Sequence, residues 1–504
     1  MPVGADCGGE ALRRIARLPR PALGPGQGGT ARPGIGGAVG LPLTARARRS
    51  DAATAPDLGD NGAMHAVLAG LTTRDEVHLL DHVPDPLAKA TSLARLACAG
   101  GPATNAAVAL AMLCALDEDG SGAPAGAPAR VGGEPAPGRG SRGWDPRAST
   151  VSLLTALGPS DTGSELFREL TELGVTVLDV ARPDLENAEP AHSVIVEHPA
   201  GRMVASTNAT VEADRGMVED AVQDDAEAGP LDVVLVDGHH PDLADVALGL
   251  GTGRGLDRAP LMAGRGTLRG RPEEAAVGAA ARDGAGDPDP FSELEDKPSH
   301  LRILDGGSWK PGFAPLLGFV DVAVISADFR PPLLMDPERG RRDDPATRGA
   351  LVPVEVQDAI AAFLHGFGIT KVVRTDGARP VRWWWDGATG EVPVDAADPA
   401  RAGETHGRGA LPFASTLGAG DVFHGAFAWA LGARHAAGLA VPADPTEIIR
   451  FASAVAGLST RTFGTREWRH DPALPALVNG ERARVESERA RVETAPASPE
   501  ADRP

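Results

Sequence analysis

Tyrosine is missing from this 504-residue chain, and aromatic residues make up only 4% of it. Lysine occurs at four positions alone, Lys89, Lys297, Lys310 and Lys371, leaving 45 of the 49 basic residues as arginine. We read that excess as a GC-rich coding bias without functional weight. The three cysteines, Cys7, Cys98 and Cys114, are an odd number with no C-x-x-C spacing, which excludes a disulfide framework and a zinc knuckle. Long apolar runs are lacking too. The longest, Ala106 to Leu116, falls well short of the ~20 residues that span a bilayer, and the first residues lack the charged, apolar, small-residue pattern of a secretory signal. A cytoplasmic location without a membrane partner is the expectation. Positive charge is scarce: 49 basic against 69 acidic residues give −20 and a pI near 5.1, so no global field attracts phosphodiester backbones or anionic lipid. Nucleic acid is not an expected partner. No G-x-x-x-x-G-K-[ST] motif is present, which excludes the P-loop route to nucleotide binding by its usual signature. The Gly-rich run at 249–255 is no dinucleotide loop, because no helical pattern follows it.

Glycine and proline are abundant, 63 and 44 residues, and they cluster. Residues 1–63 form a Gly/Pro/Arg-rich stretch without periodicity, read as a disordered extension, with Met64 as an alternative start. Segments 117–147 and 250–298 share that composition and interrupt patterned sequence, so they read as surface-loop insertions into a domain spanning 64–479. Residues 480–504 carry ERARVE twice, at 481–486 and 488–493, and with few apolar positions read as a disordered charged tail.

Between these segments lie short runs rich in Val, Ile and Leu: 65–71, 150–157, 231–237, 301–304, 320–325 and 369–374. Fully apolar runs of this length suit strands covered on both faces. Helical patterns alternate with them, such as Leu166, Phe167, Leu170 and Leu173, or Val356, Ile360, Phe363 and Phe367. The alternation predicts an α/β doubly wound, mostly parallel sheet. A late helix has a start signal in Asp444 as N-cap, Pro445 in the first turn and Glu447 as the returning acid.

Chemistry concentrates at Ser415-Thr416-Leu417-Gly418-Ala419-Gly420-Asp421. Val422, Phe423, Ala426, Phe427 and Ala430 follow at helical spacing, so the small residues form the turn into a helix whose first N–H groups lack intrahelical partners. Glycines at 418 and 420 let a phosphate approach, and the helix dipole favours an anion. Asp421 at the mouth can accept a proton from an attacking hydroxyl, and the same dipole is expected to lower its pKa. An N-terminal Asp with glycines kept for close packing fits this stretch equally well.

The run STLGAGDVFHGAFAWAL resembles the C-terminal signature of the ribokinase-like (PfkB-type) carbohydrate kinase family. Gly70-Leu-Thr-Thr-Arg-Asp75 is similar to that family's first strand with its closing substrate-binding Asp, and Ala99-Gly-Gly-Pro-Ala-Thr-Asn105 to its Gly-Gly motif. Leu157-Gly158 with Asp161 and Gly163, and Asp305-Gly-Gly-Ser-Trp-Lys310, are similar to later segments. The resemblance implies a doubly wound sheet flanked by helices, with a small β lid built from segments such as 78–83 and 192–205. It implies that Asp75 and Asn105 bind sugar hydroxyls, that Gly100 and Gly101 permit close approach, and that Asp421 is the base. It further implies that Thr416, Gly418, Ala419 and Gly420 line the triphosphate of ATP, with Thr375 and Gly377 beside the nucleotide and Mg2+ bridging the phosphates. Two departures stand out. Ser415 replaces the usual Asp, which makes a monovalent cation doubtful, and the family's N-x-x-E segment reads Ser326-Ala-Asp328-Phe329, which leaves the metal ligands unknown. A nucleoside kinase and a catalytically silent sugar- or nucleotide-binding homologue are the alternatives, and open lid edges invite a homodimer. His239, His240, Trp383 to Trp385 and His424 are weaker candidates, the tryptophans being expected to pack.

Overall fold

The computed structural model describes residues 63–119, 149–250, 300–334, 352–394 and 415–494, apart from 86, 187, 208, 209 and 228. All belong to one compact unit, Gly59–Pro504. The expected disordered extension and most of both insertions lie outside the described residues.

The apolar runs are strands. β1 (His65–Ala69), β4 (Thr150–Thr155), β5 (Thr176–Asp179), β8 (Val233–Val236), β9 (Leu301–Gly306), β10 (Val322–Ser326) and β11 (Lys371–Thr375) form the parallel part of a nine-stranded sheet. The order is β13-β12-β11-β10-β9-β8-β1-β4-β5, with β12 (Val381–Trp385) and β13 (Ala388–Val392) running antiparallel at one edge. Alternate side chains point to opposite faces, and β1 shows the result: Ala66 and Leu68 join one core cluster, Val67 and Ala69 the other. The first cluster takes in α1 (Pro102–Asp119), α2 (Asp161–Glu172), α6 (Ala419–Ala436) and α7 (Thr446–Ser459); the second takes in α3 (Arg215–Glu227), α4 (Pro241–Gly249) and α5 (Val354–His365). Both faces are therefore covered, as the uninterrupted apolar runs predicted. The tryptophans of β12 are buried in this packing.

A second sheet has the order β3-β2-β6-β7, built from β2 (Thr73–Leu79), β3 (Ala94–Gly100), β6 (Ala191–His198) and β7 (Gly201–Ser206). It packs through Val77 and Ile195 against Leu417, beside α6. This is the lid, with its boundaries corrected. The first lid strand covers 73–79 rather than 78–83, and β3 was not foreseen because Ala, Arg and Cys dilute its alternation. Asp75 consequently sits inside a lid strand, not at the end of β1.

Three further expectations change. α1 runs on through Asp119, so residues 117–119 are helix and not insertion. α7 begins at Thr446 with Pro445 at its cap; Asp444 Oδ1 accepts from Thr446 N at 2.9 Å, while Glu447 pairs with Arg450 and Arg484 instead of returning to the cap. The tail is also ordered in part: α8 spans Leu474–Thr494 and buries Leu474, Val478, Glu481 and Val485. The 4-3-4 spacing of those positions is helical, and Glu481 in the stripe had disguised it. Residues 495–504 lie outside the described residues.

Candidate functional site

The site forms where α1 and α6 begin and the lid meets the sheet. Gly418 caps α6 in the left-handed region, φ 69°, a conformation glycine adopts freely. A Cβ there would lie 2.7 Å from the Thr465 methyl. The turn delivers Asp421 to the first turn of α6, where Asn105 Nδ2 from α1 donates to its Oδ2 at 2.7 Å. Residues 316 positions apart thus meet directly.

Asp75 approaches from β2. Thr73 Oγ1 donates to its Oδ1 at 2.7 Å, and the carboxylate lies so near Gly100 that a Cβ there would be 2.0 Å from Oδ2. Gly101, at φ 103°, stands equally close to the Leu71 carbonyl. At both glycines the space a Cβ would take is filled by protein groups. Gly420 differs from them, because a Cβ added there would meet nothing within 4 Å.

The electrostatics run against the expectation for Asp421. Burial, with Asp305 as the next contributor, pushes its carboxyl up to about 8, against the pull of Asn105 and Arg202. The dipole is outweighed because desolvation and neighbouring carboxylates both disfavour the charged form. Burial also raises Asp75, opposed by Thr73, Ser193 and Arg466. Burial alone would raise Asp237 as well, yet His239 and Lys310 hold it below the usual carboxylate range. Asp237 is a fastener: it accepts from Leu71 N at 3.0 Å and Ala103 N at 3.2 Å, tying the loop after β1 to the start of α1.

Beneath Asp421, His424 is buried, its Nε2 3.1 Å from the Val324 carbonyl and its Nδ1 3.4 Å from Asp305 Oδ2. Ser415 donates to both Glu197 oxygens, at 2.7 and 3.0 Å, and Arg202 Nη1 donates to Thr416 Oγ1 at 3.0 Å. These contacts lock the 415–416 stretch to the lid.

Thr375 and Gly377 gather elsewhere, at the C-terminal ends of β10 and β11. They line a cavity of about 260 Å³ with Ser326, Asp328, Arg330 and Arg379. The altered segment is explained locally, since Ser326 Oγ donates to the Gly307 carbonyl and Phe329 is buried against Trp309 and Phe313. His239 and His240 follow β8 in a bend, with His239 beside Asp237.

Magnesium has limited support from the donor set. Among the described residues no group of three His, Cys, Asp or Glu could hold a metal ion. The residues present suit only an ion carried mainly by phosphate and water, with one or two carboxylates at most.

Arg466 also belongs to the site. It donates through Nη1 to Asn105 Oδ1 at 2.9 Å and through Nη2 to the Ala99 carbonyl at 2.7 Å. No local signal marks it, because it is one arginine among many in RTFGTREWRHDP.

No family model and no curated protein matches the sequence. Among solved structures, ribokinase from Giardia lamblia matches at 15% identity and TM-score 0.48, covering 85% of this chain and all of that one. Ribokinase from Arabidopsis thaliana, complexed with ribose and ATP, matches at 15% and 0.44, covering 82% and 99%. Phosphofructokinase-2 from Escherichia coli, in complex with potassium, matches at 14% and 0.46, covering 84% and 99%. In form the chain resembles these kinases.

Proposed function

We propose that the protein is an ATP-dependent kinase that transfers the γ-phosphoryl group to a hydroxyl of a carbohydrate. One observation carries the reading: Asn105 and Asp421, from two of the three motifs, are in direct hydrogen bond at the N-terminus of a glycine-capped helix, with the carboxylate of Asp75, from the third, near enough to disfavour charge on Asp421. A carboxylate at a helix N-terminus, next to backbone donors that favour anions, has the parts that phosphoryl transfer to an alcohol requires. Asp75 and Asn105 hold the acceptor from the lid side and the helix side. Asp421 accepts the hydroxyl proton as the oxygen attacks. The turn at 418–420 faces the transferred group, and Thr375 and Gly377 border the cavity that takes the rest of the nucleotide. Magnesium, if bound, would supply charge neutralisation and would be held by phosphate and water with one or two of the site's carboxylates at most. Catalysis is then positioning plus electrostatic stabilisation.

The binding-only alternative draws on one observation, the commitment of Ser326 and Phe329 to structure. ATP consumption with magnesium across pentoses, hexoses, their phosphates and nucleosides, beside Asp421→Asn, separates the readings. Acceptor-dependent turnover that is lost in the variant supports the sugar kinase. Turnover with nucleosides alone reassigns the acceptor, and ligand-induced stabilisation without turnover supports the silent homologue.

A further inference from the structure

We infer that Arg466 is a positioning residue, which fixes the orientation of the Asn105 amide so that its N–H end, and not its carbonyl, faces Asp421. The inference rests on the proposed role of Asp421 for its catalytic meaning but on geometry alone for its substance. A guanidinium has only donors. Nη1 of Arg466 lies 2.9 Å from one end of the Asn105 amide, so that end must be the oxygen. The other end, 2.7 Å from Asp421 Oδ2, is then the NH2 group. With Arg466 absent, the amide is free to turn by 180° and present Oδ1 to Asp421, an arrangement that only a protonated carboxyl satisfies.

The guanidinium is itself held on several sides. Nη1 also donates to Thr465 Oγ1 at 2.9 Å and to the Thr465 carbonyl at 3.1 Å, and Nη2 to the Ala99 carbonyl at 2.7 Å. Its backbone is anchored on either side. Gly464 packs at φ 86° against Leu96 of β3, and the indole N–H of buried Trp468 donates to the Thr465 carbonyl at 3.1 Å. Nε is buried and has no hydrogen-bond partner among the described residues. Leaving a buried donor unmade is costly, which favours a site selected for the aim of its two Nη groups over one selected for packing. The charged groups facing Asp421 are Asp305 on β9, Arg202 on β7, Asp75 on β2 and Arg466 itself, while Arg466, against the pull of its own burial, is surrounded by Cys98, Glu169, Asp75 and Asp421. Arg466 therefore favours the charged base twice, through its own charge and, more specifically, through the amide it orients.

The test is the titration of the Asp421 carboxyl, followed by 13C NMR in the full-length protein and assigned with Asp421→Asn. In Arg466→Met the midpoint is expected to rise by about one pH unit or more. Most of that rise should vanish when Asn105 is already Ala, because the amide that transmits it is gone. Arg466→Lys keeps the charge but cannot span Asn105 Oδ1 and the Ala99 carbonyl together, so it should show a smaller rise; it also decides the matter if Arg466→Met does not fold. Midpoints in Arg466→Met or Arg466→Lys that coincide with wild type overturn the inference, as does a rise in Arg466→Met that survives in full in the Asn105→Ala background. A wild-type chain that phosphorylates nothing, yet shows these shifts, removes the kinase reading and leaves the positioning role standing.

Discussion

Asp421 carries the heaviest consequence of any single side chain. Its replacement by Asn preserves size and the contact with Asn105 while removing the proton acceptor, so turnover should drop about 10²- to 10⁴-fold with acceptor binding retained; steady-state kinetics and calorimetry read the two separately. With the carboxyl pushed up to about 8 in the free protein, kcat/KM should climb about tenfold per pH unit below that value and level off above it. Stability moves the other way. A carboxyl whose folded pKa is raised above its unfolded value stabilises the fold fully below the unfolded pKa, and that contribution is lost as pH rises through the folded pKa. The ligand-free protein should therefore lose stability from this group between about pH 4 and pH 8. Asp421→Asn should accordingly melt above wild type at pH 8 and close to it at pH 4. Equal differences at both pH values would show that the carboxyl is not perturbed. The residue itself was legible, because the glycine turn, the acid and the helical pattern are contiguous. The direction of its pKa was not, since it is set first by burial in the packed fold and then by Asp305 and Asp75, which lie far away in sequence. Arg466 was illegible for the same reason: its partners, Ala99 and Asn105, are more than 350 positions distant.

At the scale of elements, strands buried on both faces declared themselves by unbroken apolar runs, whereas β3 and α8 hid behind polar residues at buried positions. The cost of misreading α8 is measurable. Arg434 in α6 is almost fully buried and pairs with Glu488 of α8 at 2.5 Å. Glu481, 1% exposed, pairs with Arg484. A chain ended at residue 479, where composition alone places the domain boundary, would strand the Arg434 charge and expose the α6 and α7 surfaces that α8 covers. Glu488 is itself about two-fifths exposed, so losing that partner alone costs about 1 kcal/mol or less, and uncovering the surface beneath Val485 and Glu481 adds to it. Chemical denaturation should show a lower midpoint than for a chain ended at 494, and equal midpoints would mean that residues 480–494 contribute no packing. The junction between β3 and α1 offers a second check. A Cβ on Gly100 would sit 2.0 Å from Asp75 Oδ2, so Gly100→Ala must displace that carboxylate. If Asp75 binds the acceptor in the ground state, KM for the acceptor should rise about tenfold or more while kcat changes little.

For the whole molecule, the reading of two Gly/Pro-rich segments as insertions can be tested at the sheet connections that they join. α1 ends at Asp119 and β4 begins at Thr150; α4 ends at Gly249 and β9 begins at Leu301. In each case the flanking elements are already fixed by contacts of their own. Thr150 N donates to the Met64 carbonyl at 2.8 Å, and Leu301 N donates to the Asp232 carbonyl at 3.0 Å. The pairing of β1 with β4 and of β8 with β9 continues in register from those points. Among the described residues, the core clusters draw on the strands and on α1 and α4, which flank the two Gly/Pro-rich segments. Lengthening a surface loop costs only about 0.6 kcal/mol per doubling, so if both segments are surface insertions, their removal costs the fold little. Replacing 120–148 and 251–299 together by short Gly/Ser linkers should therefore leave a single cooperative unfolding transition, with a midpoint within a few degrees of the parent. The pH dependence set by Asp421 should persist in the shortened chain. A lost or split transition would show instead that one of these segments supplies packing to the sheet, and the domain would then have to be redrawn to include it.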